Sequence, residues 1–158
     1  MALATCCAST AGRLGRTIGD EVVPVPRRHA IAAEPARPDG SIIVILATDA
    51  PLLAIRCQRL ARRATTGLAW AGGIGANGSG DIFLAFATGN SHDARIASVR
   101  MLAPDAMMEL FKAAAEATEE AILNALCKAE TMTGRDGRKV HALPLDALQD
   151  VMRRRRPR

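Results

Sequence analysis

The unbroken apolar run Ile42-Ile43-Val44-Ile45-Leu46-Ala47-Thr48 limits the possible folds more than any other stretch of the chain. Its β-branched residues and lack of polar alternation predict a strand buried on both faces. Asp39-Gly40-Ser41 leads into it and Asp49-Ala50-Pro51 ends it. A buried strand is a rigid mount, so a side chain at its first residue is held within narrow limits. Gly40 leaves the peptide bond before Ser41 unhindered and tolerates strained backbone angles. Two readings of Gly40-Ser41 follow. It is a plain turn before a core strand, or Ser41 is a nucleophile that cuts the bond preceding it.

The rest of the chain after Ser41 is regular. Leu53, Cys57, Leu60, Ala61, Ala64 and Leu68 fall on one helical face, with Pro51 suited to the first turn, so a helix is expected from about Asp49–Pro51 to Leu68. A glycine-rich loop, Ala71 to Gly80, then enters a second apolar strand, Asp81 to Thr88. A third strand is expected over Ala94–Leu102, joined to the second as an antiparallel pair through Gly89-Asn90-Ser91-His92-Asp93. Pro104-Asp105 opens a long helix running to about Glu130, and a short helix begins near Pro144. Strand, helix, strands, helix, helix is an α/β order, a sheet with helices packed on it. Residues 1–40 carry scattered Pro and Gly and no sustained period, and are read as an irregular leader; residues 41–158 form the α/β domain.

Composition removes several function classes. At 158 residues with 49% hydrophobic residues the chain can build a core, yet aromatics are 3% and Tyr is absent. Base-stacking platforms for nucleic acid are therefore missing. The net charge of +5 resides in Arg153, Arg154, Arg155, Arg156 and Arg158, which leave a balanced remainder. Such a tail can touch phosphates without specificity, and a basic nucleic-acid binder stays a rival reading. Cys6, Cys7, Cys57 and Cys127 show no C-x-x-C spacing and no His partner, so neither a metal site nor a cofactor is expected. Their usage fits a reducing, cytoplasmic setting. No run of 18 apolar residues suggests a membrane span.

The chemistry gathers at Asn77-Gly78-Ser79-Gly80-Asp81. A phosphate loop would need Gly-Lys-Ser/Thr at its end, and a dinucleotide fingerprint would open a helix instead of a strand. A flexible glycine loop is one reading. The other pairs this loop with Ser41: if the two strands run side by side in the same direction, Ser41, Ser79 and Asp81 converge at one end of a sheet. His29, His92 and His141 have no evident Ser or Cys partner, so a Ser-His-Asp triad lacks support. A serine without a histidine needs another base. A freed α-amino group, with an ordinary pKa of about 7.7–8.0, can serve, and cleavage before Ser41 would create one.

Several stretches in order carry a family resemblance: Gly40-Ser41-Ile42-Ile43-Val44, Ala47-Thr48-Asp49-Ala50-Pro51-Leu52, Leu60-Ala61-Arg62-Arg63-Ala64, Asn77-Gly78-Ser79-Gly80-Asp81-Ile82-Phe83 and Glu130-Thr131-Met132-Thr133-Gly134-Arg135-Asp136-Gly137. From Gly40 to about Leu148 the chain resembles the self-processing DmpA-type aminopeptidases (L-aminopeptidase/D-amidase/esterase, the S58 peptidases), a group that includes the β-peptidyl aminopeptidases. The resemblance implies a precursor that cuts itself before a Ser or Thr into a long α chain and a short β chain. It implies an αββα sandwich, a homo-oligomer and no metal. By position, Gly40 and Ser41 flank the self-cleavage site, Ser41 is the nucleophile, Ser79 the second active-site hydroxyl and Asp81 the acid beside it. Some members carry Glu where this chain has Asp81. The implied reaction releases an N-terminal residue from a small peptide, amide or ester through an acyl-enzyme.

The family's α chain is far longer than residues 1–40 and supplies about half of the sandwich together with an oxyanion-binding Asn. This chain therefore reads as a β-chain equivalent, half of the αββα sandwich, behind an unrelated or truncated leader. The alternative is a non-catalytic β-chain fragment that acts only by association with other subunits through its uncovered sheet face.

Overall fold

The computed structural model describes residues 3–8, 17–18, 21–22, 40–90, 95–96 and 98–155. The apolar run forms the middle strand β4 (Ile42–Thr48) of a three-stranded sheet. On one side β1 (Leu3–Ala8) pairs with it antiparallel, Leu3 opposite Ala47 and Ala8 opposite Ile42. On the other, β5 (Ile82–Ala87) runs parallel to it, Ile43 opposite Ile82 and Thr48 opposite Ala87. The tiny strands β2 (Thr17–Ile18) and β3 (Glu21–Val22) make a separate antiparallel pair. The leader is thus not wholly irregular: β1 supplies backbone partners to β4. The remainder of residues 1–40 lies outside the described residues, apart from Gly40.

Two parallel neighbours need a crossover, and two short helices provide it. They are α1 (Ala54–Ala61) and α2 (Ala64–Trp70). The single helix expected over this span starts later and is interrupted. Its first turn does not form at Asp49–Pro51 because that backbone is already engaged. Thr48 Oγ1 accepts the Ala50 N–H, the Thr48 carbonyl accepts the Thr88 N–H and the Pro51 carbonyl accepts the Leu102 N–H. The break at Arg62–Arg63 has a local cause as well. The Thr65 hydroxyl donates to the Arg62 carbonyl at 2.7 Å, taking an acceptor the helix would use, and Thr65-Thr66-Gly67 is weakly helical.

The long helix α3 (Met107–Lys128) packs beside α2 and β1. Glu109 in its first turn and Lys128 in its last suit the helix dipole. Gly67 is what lets α2 and α3 touch: a Cβ there would lie 2.2 Å from the Ala115 carbonyl oxygen and 2.8 Å from Thr118 Cβ. The hairpin of β6 (Met132–Thr133) and β7 (Lys139–Val140) and the helix α4 (Leu145–Arg155) follow.

The core joins Ile42, Val44 and Leu46 of the sheet to Leu60, Ala64 and Leu68 and to Met107, Phe111, Ala114 and Ile122. Each fully buried aliphatic side chain contributes about 1.5–3 kcal/mol. All of these lie on one face of the sheet. The fold is therefore α/β, a sheet with helices packed on one face. The other face departs from the expectation that β4 is buried on both sides. Ile43 is 44% exposed, and Ile82, Leu84 and Phe86 of β5 are 56%, 53% and 46% exposed. No second layer among the described residues covers them, which is the pattern of half of a sandwich.

The expected third strand is also absent: residues 95, 96 and 98–102 take no strand structure. The Asn90 side chain donates to the Arg100 carbonyl and accepts the Arg100 N–H, and Leu102 donates to Pro51. The backbone groups a hairpin would use are spent elsewhere.

Candidate active site

The parallel register of β4 and β5 offsets partners by 39 residues, as in Ile43 opposite Ile82. The same offset continues upstream of both strands, carried by side chains in place of backbone pairs. The Ser79 hydroxyl lies 2.8 Å from the Gly40 carbonyl oxygen, the Gly80 N–H donates to Ser41 Oγ at 2.9 Å and the Ile42 N–H donates to Asp81 Oδ1 at 3.1 Å. Three rungs in a row thus join Gly40 to Ser79, Ser41 to Gly80 and Ile42 to Asp81. Gly40, Ser41, Ser79 and Asp81, the residues singled out in the sequence, all meet here.

Ser79 has one hydroxyl hydrogen and two acceptors in reach. Besides Gly40, its oxygen is 2.5 Å from Asp81 Oδ1, a short O–H···O contact of the charge-assisted kind. The same Asp81 oxygen takes the Ile42 N–H, so one carboxylate atom ties the loop's hydroxyl to the first amide of β4. Gly80 lies close against the serine: a Cβ there would stand 3.4 Å from Ser41 Oγ, in ordinary van der Waals contact.

Other candidate groups lie apart from this cluster. Cys57 is buried in the core, and burial pushes its thiol above the ordinary range, which keeps it protonated and unreactive. His141 is half-buried between β7 and α4, while His29 and His92 fall outside the described residues. No group of three or more His, Cys, Asp or Glu that could hold a metal ion occurs among the described residues.

The backbone amides of Gly80 and Ile42 were missed by motif reading. A signal for the first was present: Gly40-Ser41 and Ser79-Gly80 are mirrored dipeptides, each placed just ahead of an apolar strand. With the strands parallel and in register, each of the first two rungs sets a glycine against a serine.

Peptidase family S58 matches residues 9–140, most of the chain. The chain belongs to peptidase family S58. The match reaches upstream of Gly40, where the sequence motifs begin. A β-peptidyl aminopeptidase, BapA, of Sphingosinicella microcystinivorans is 44% identical over 122 residues, covering 75% of this chain and 31% of the relative. Among solved structures, a β-aminopeptidase of Burkholderia sp. superposes with a TM-score of 0.67 at 47% identity, covering 75% of this chain and 36% of that one. The L-aminopeptidase D-Ala-esterase/amidase of Ochrobactrum anthropi, described as a prototype serine aminopeptidase and a variant of the Ntn hydrolase fold, gives 0.65 at 40% identity. That superposition covers 72% of this chain and 33% of that one. The chain spans about a third of the length of these S58 relatives. No helix among its described residues is long and apolar enough to cross a membrane.

Proposed function

We propose that this S58 chain is the nucleophile-bearing part of a self-processing serine aminopeptidase or amidase. The observation that carries the reading is the first two rungs: Ser79 Oγ stands 2.8 Å from the Gly40 carbonyl oxygen while the Gly80 N–H donates to Ser41 Oγ. Ser41 Oγ attacks the Gly40 carbonyl carbon, and the developing oxyanion takes a hydrogen bond from Ser79. The carbon–nitrogen bond then breaks, the proton given up by the Ser41 hydroxyl passes to the nitrogen, and Gly40 is left as an ester on Ser41 Oγ. Water hydrolyses that ester, which yields a Gly40 carboxylate, a free Ser41 hydroxyl and a free Ser41 α-amino group. The amine then acts as base for the same hydroxyl, with Ser79 and Asp81 beside it. A substrate carbonyl takes the place Gly40 held, and an N-terminal residue leaves a small peptide, amide or ester through an acyl-enzyme on Ser41. On this reading residues 1–40 and 41–158 become separate chains, and no metal or cofactor takes part. The names of the relatives, a β-peptidyl aminopeptidase and an L-aminopeptidase D-Ala-esterase/amidase, support this substrate class.

The remaining donors and pocket walls belong to an α-chain-like region, so full activity requires that region in a homo-oligomeric assembly; the free Cys57 and Cys127 fit a reducing, cytoplasmic setting. Mass spectrometry of the purified chain tests the processing step. A species beginning at Ser41 is expected, and Ser41→Ala abolishes it. A wild-type chain that stays whole for days at about pH 7–8 would sink the reading of autonomous self-cleavage.

A second reading is favoured by a separate observation, the exposed apolar face of Ile43, Ile82, Leu84 and Phe86. On it the chain is a non-catalytic fragment that works only by association with other subunits through that face. Sizing at low and high concentration tests the association itself, and a monomer throughout argues against it; a species beginning at Ser41 favours the first reading.

A further inference from the structure

The helical layer carries a charge pattern that the Ser41 cluster does not use. Arg56, Arg59, Arg62 and Arg63 fall close together, from the body of α1 to the entry of α2. Two of them converge. The Arg59 guanidinium carbon lies 5.3 Å from the centre of the Phe111 ring and that of Arg63 lies 4.5 Å from it, so one ring of α3 holds both. Phe111 is buried beneath them, while Arg59 and Arg63 are exposed. The ring attracts each cation and limits how far its long side chain wanders. Two like charges brought together repel, and no carboxylate offsets them: among the described residues neither arginine has an acidic partner. The helical neighbours of Phe111 are Met107, Met108, Ala114 and Ala115, none of them charged, and Glu116 is paired with Lys112 at 3.7 Å.

We propose that Arg59 and Arg63, steadied on Phe111, form a binding site for the dianionic phosphate group of a small molecule. A guanidinium resting against a ring keeps its edge N–H donors free, and two such forks match the oxygens of one phosphate. A dianion answers both charges at once, whereas a carboxylate or a phosphodiester brings one. A nucleic-acid strand suits the site less, because base stacking needs an exposed aromatic platform and Phe111 is covered. The site shares no residue with the Ser41, Ser79 and Asp81 cluster, so it stands whether or not the chain cuts before Ser41.

The test titrates the full chain with methyl phosphate at about pH 7.5, where the second proton of a phosphate monoester, with a pKa of about 6, is off. Sodium chloride holds the ionic strength constant. The side-chain NMR signals of Arg59 and Arg63 should move along a saturable curve with a midpoint on the order of 1 mM. Arg59→Gln and Arg63→Gln should each weaken binding about tenfold or more, the loss of one bond to a charged group. Arg62 is exposed on the same turn and has no ring beneath it among the described residues. Arg62→Gln should therefore keep the affinity within roughly twofold, as most surface changes do. All three side chains are exposed, so each variant should keep the amide spectrum of the wild type. Inorganic phosphate, run in parallel, distinguishes the source: binding as tight as the ester's or tighter assigns the site to the free anion, weaker binding to the ester. The proposal is overturned if no saturation appears below about 50 mM, or if the Arg59→Gln/Arg63→Gln double variant binds like the wild type. It is overturned equally if Arg62→Gln weakens binding as much as the other two, or if singly charged dimethyl phosphate binds as well as methyl phosphate.

Discussion

The Ser79 hydroxyl oxygen stands 2.8 Å from the carbonyl oxygen of Gly40, the residue whose peptide bond precedes Ser41. That oxygen is where negative charge would collect during attack by Ser41, and the Ser79 hydroxyl stands close enough to turn its one hydrogen from Asp81 onto it. Ser79→Ala should therefore slow the appearance of a species beginning at Ser41 by about 10²–10³, the usual worth of one such donor. The check is a time course by intact-mass measurement, with the folded state confirmed by circular dichroism.

Contact between α2 and α3 depends on a missing side chain. Gly67→Ala would put a methyl 2.2 Å from the Ala115 carbonyl oxygen, where backbone and not a pliable side chain must give way. A loss of about 1–3 kcal/mol is expected from such overpacking. Chemical denaturation should show a lower midpoint with an unchanged slope.

The open face of the sheet makes a different forecast. Leu84→Lys puts a charge where Leu84 is already half exposed, so the fold should lose no more than roughly 0.5 kcal/mol, as for most surface changes. Association through this face should weaken sharply. Light scattering across a concentration series reads the effect, and an unchanged association constant would remove the face from consideration.

Two described cysteines should part company chemically. Cys57 is buried and its thiol is held protonated by desolvation, whereas Cys127 is exposed. Maleimide should label Cys127 quickly in the folded chain and Cys57 only on unfolding. The raised thiol carries a pH signature. Protonated Cys57 is favoured in the folded state, so its contribution is whole below the unfolded thiol's pKa of about 8.5 and fades as pH rises above it. Cys57→Ala should flatten that part of the stability profile, as thermal melts between about pH 7 and 10 would register.

Much of this was legible in the residues themselves. The uninterrupted apolar runs at 42–47 and 82–87 announced their strands, because they are short and rich in β-branched and aromatic residues. Pairing a serine with each strand entrance was enough to bring Ser41, Ser79 and Asp81 together once the strands lay parallel. What could not be read was set by partners distant in sequence. The open face of β4 looks like a buried one, since Ile43 and Ile45 are as apolar as Ile42 and Val44. The Ala94–Leu102 stretch has a strand's composition, but the Asn90 side chain claims the backbone of Arg100. The break at Arg62–Arg63 turns on one hydroxyl, that of Thr65. β1 carried no periodic signal strong enough to stand out from the leader.

That last strand matters for how a processed molecule would behave. β1 lies upstream of Gly40 and pairs with every residue of β4 but Thr48, from Leu3 opposite Ala47 to Ala8 opposite Ile42. A break at Gly40–Ser41 would sever the covalent link while six residue pairs still bridged the two pieces. The nicked protein would then elute at the same volume as the intact one and resolve into two polypeptides only in detergent or denaturant. Native sizing would be blind to maturation.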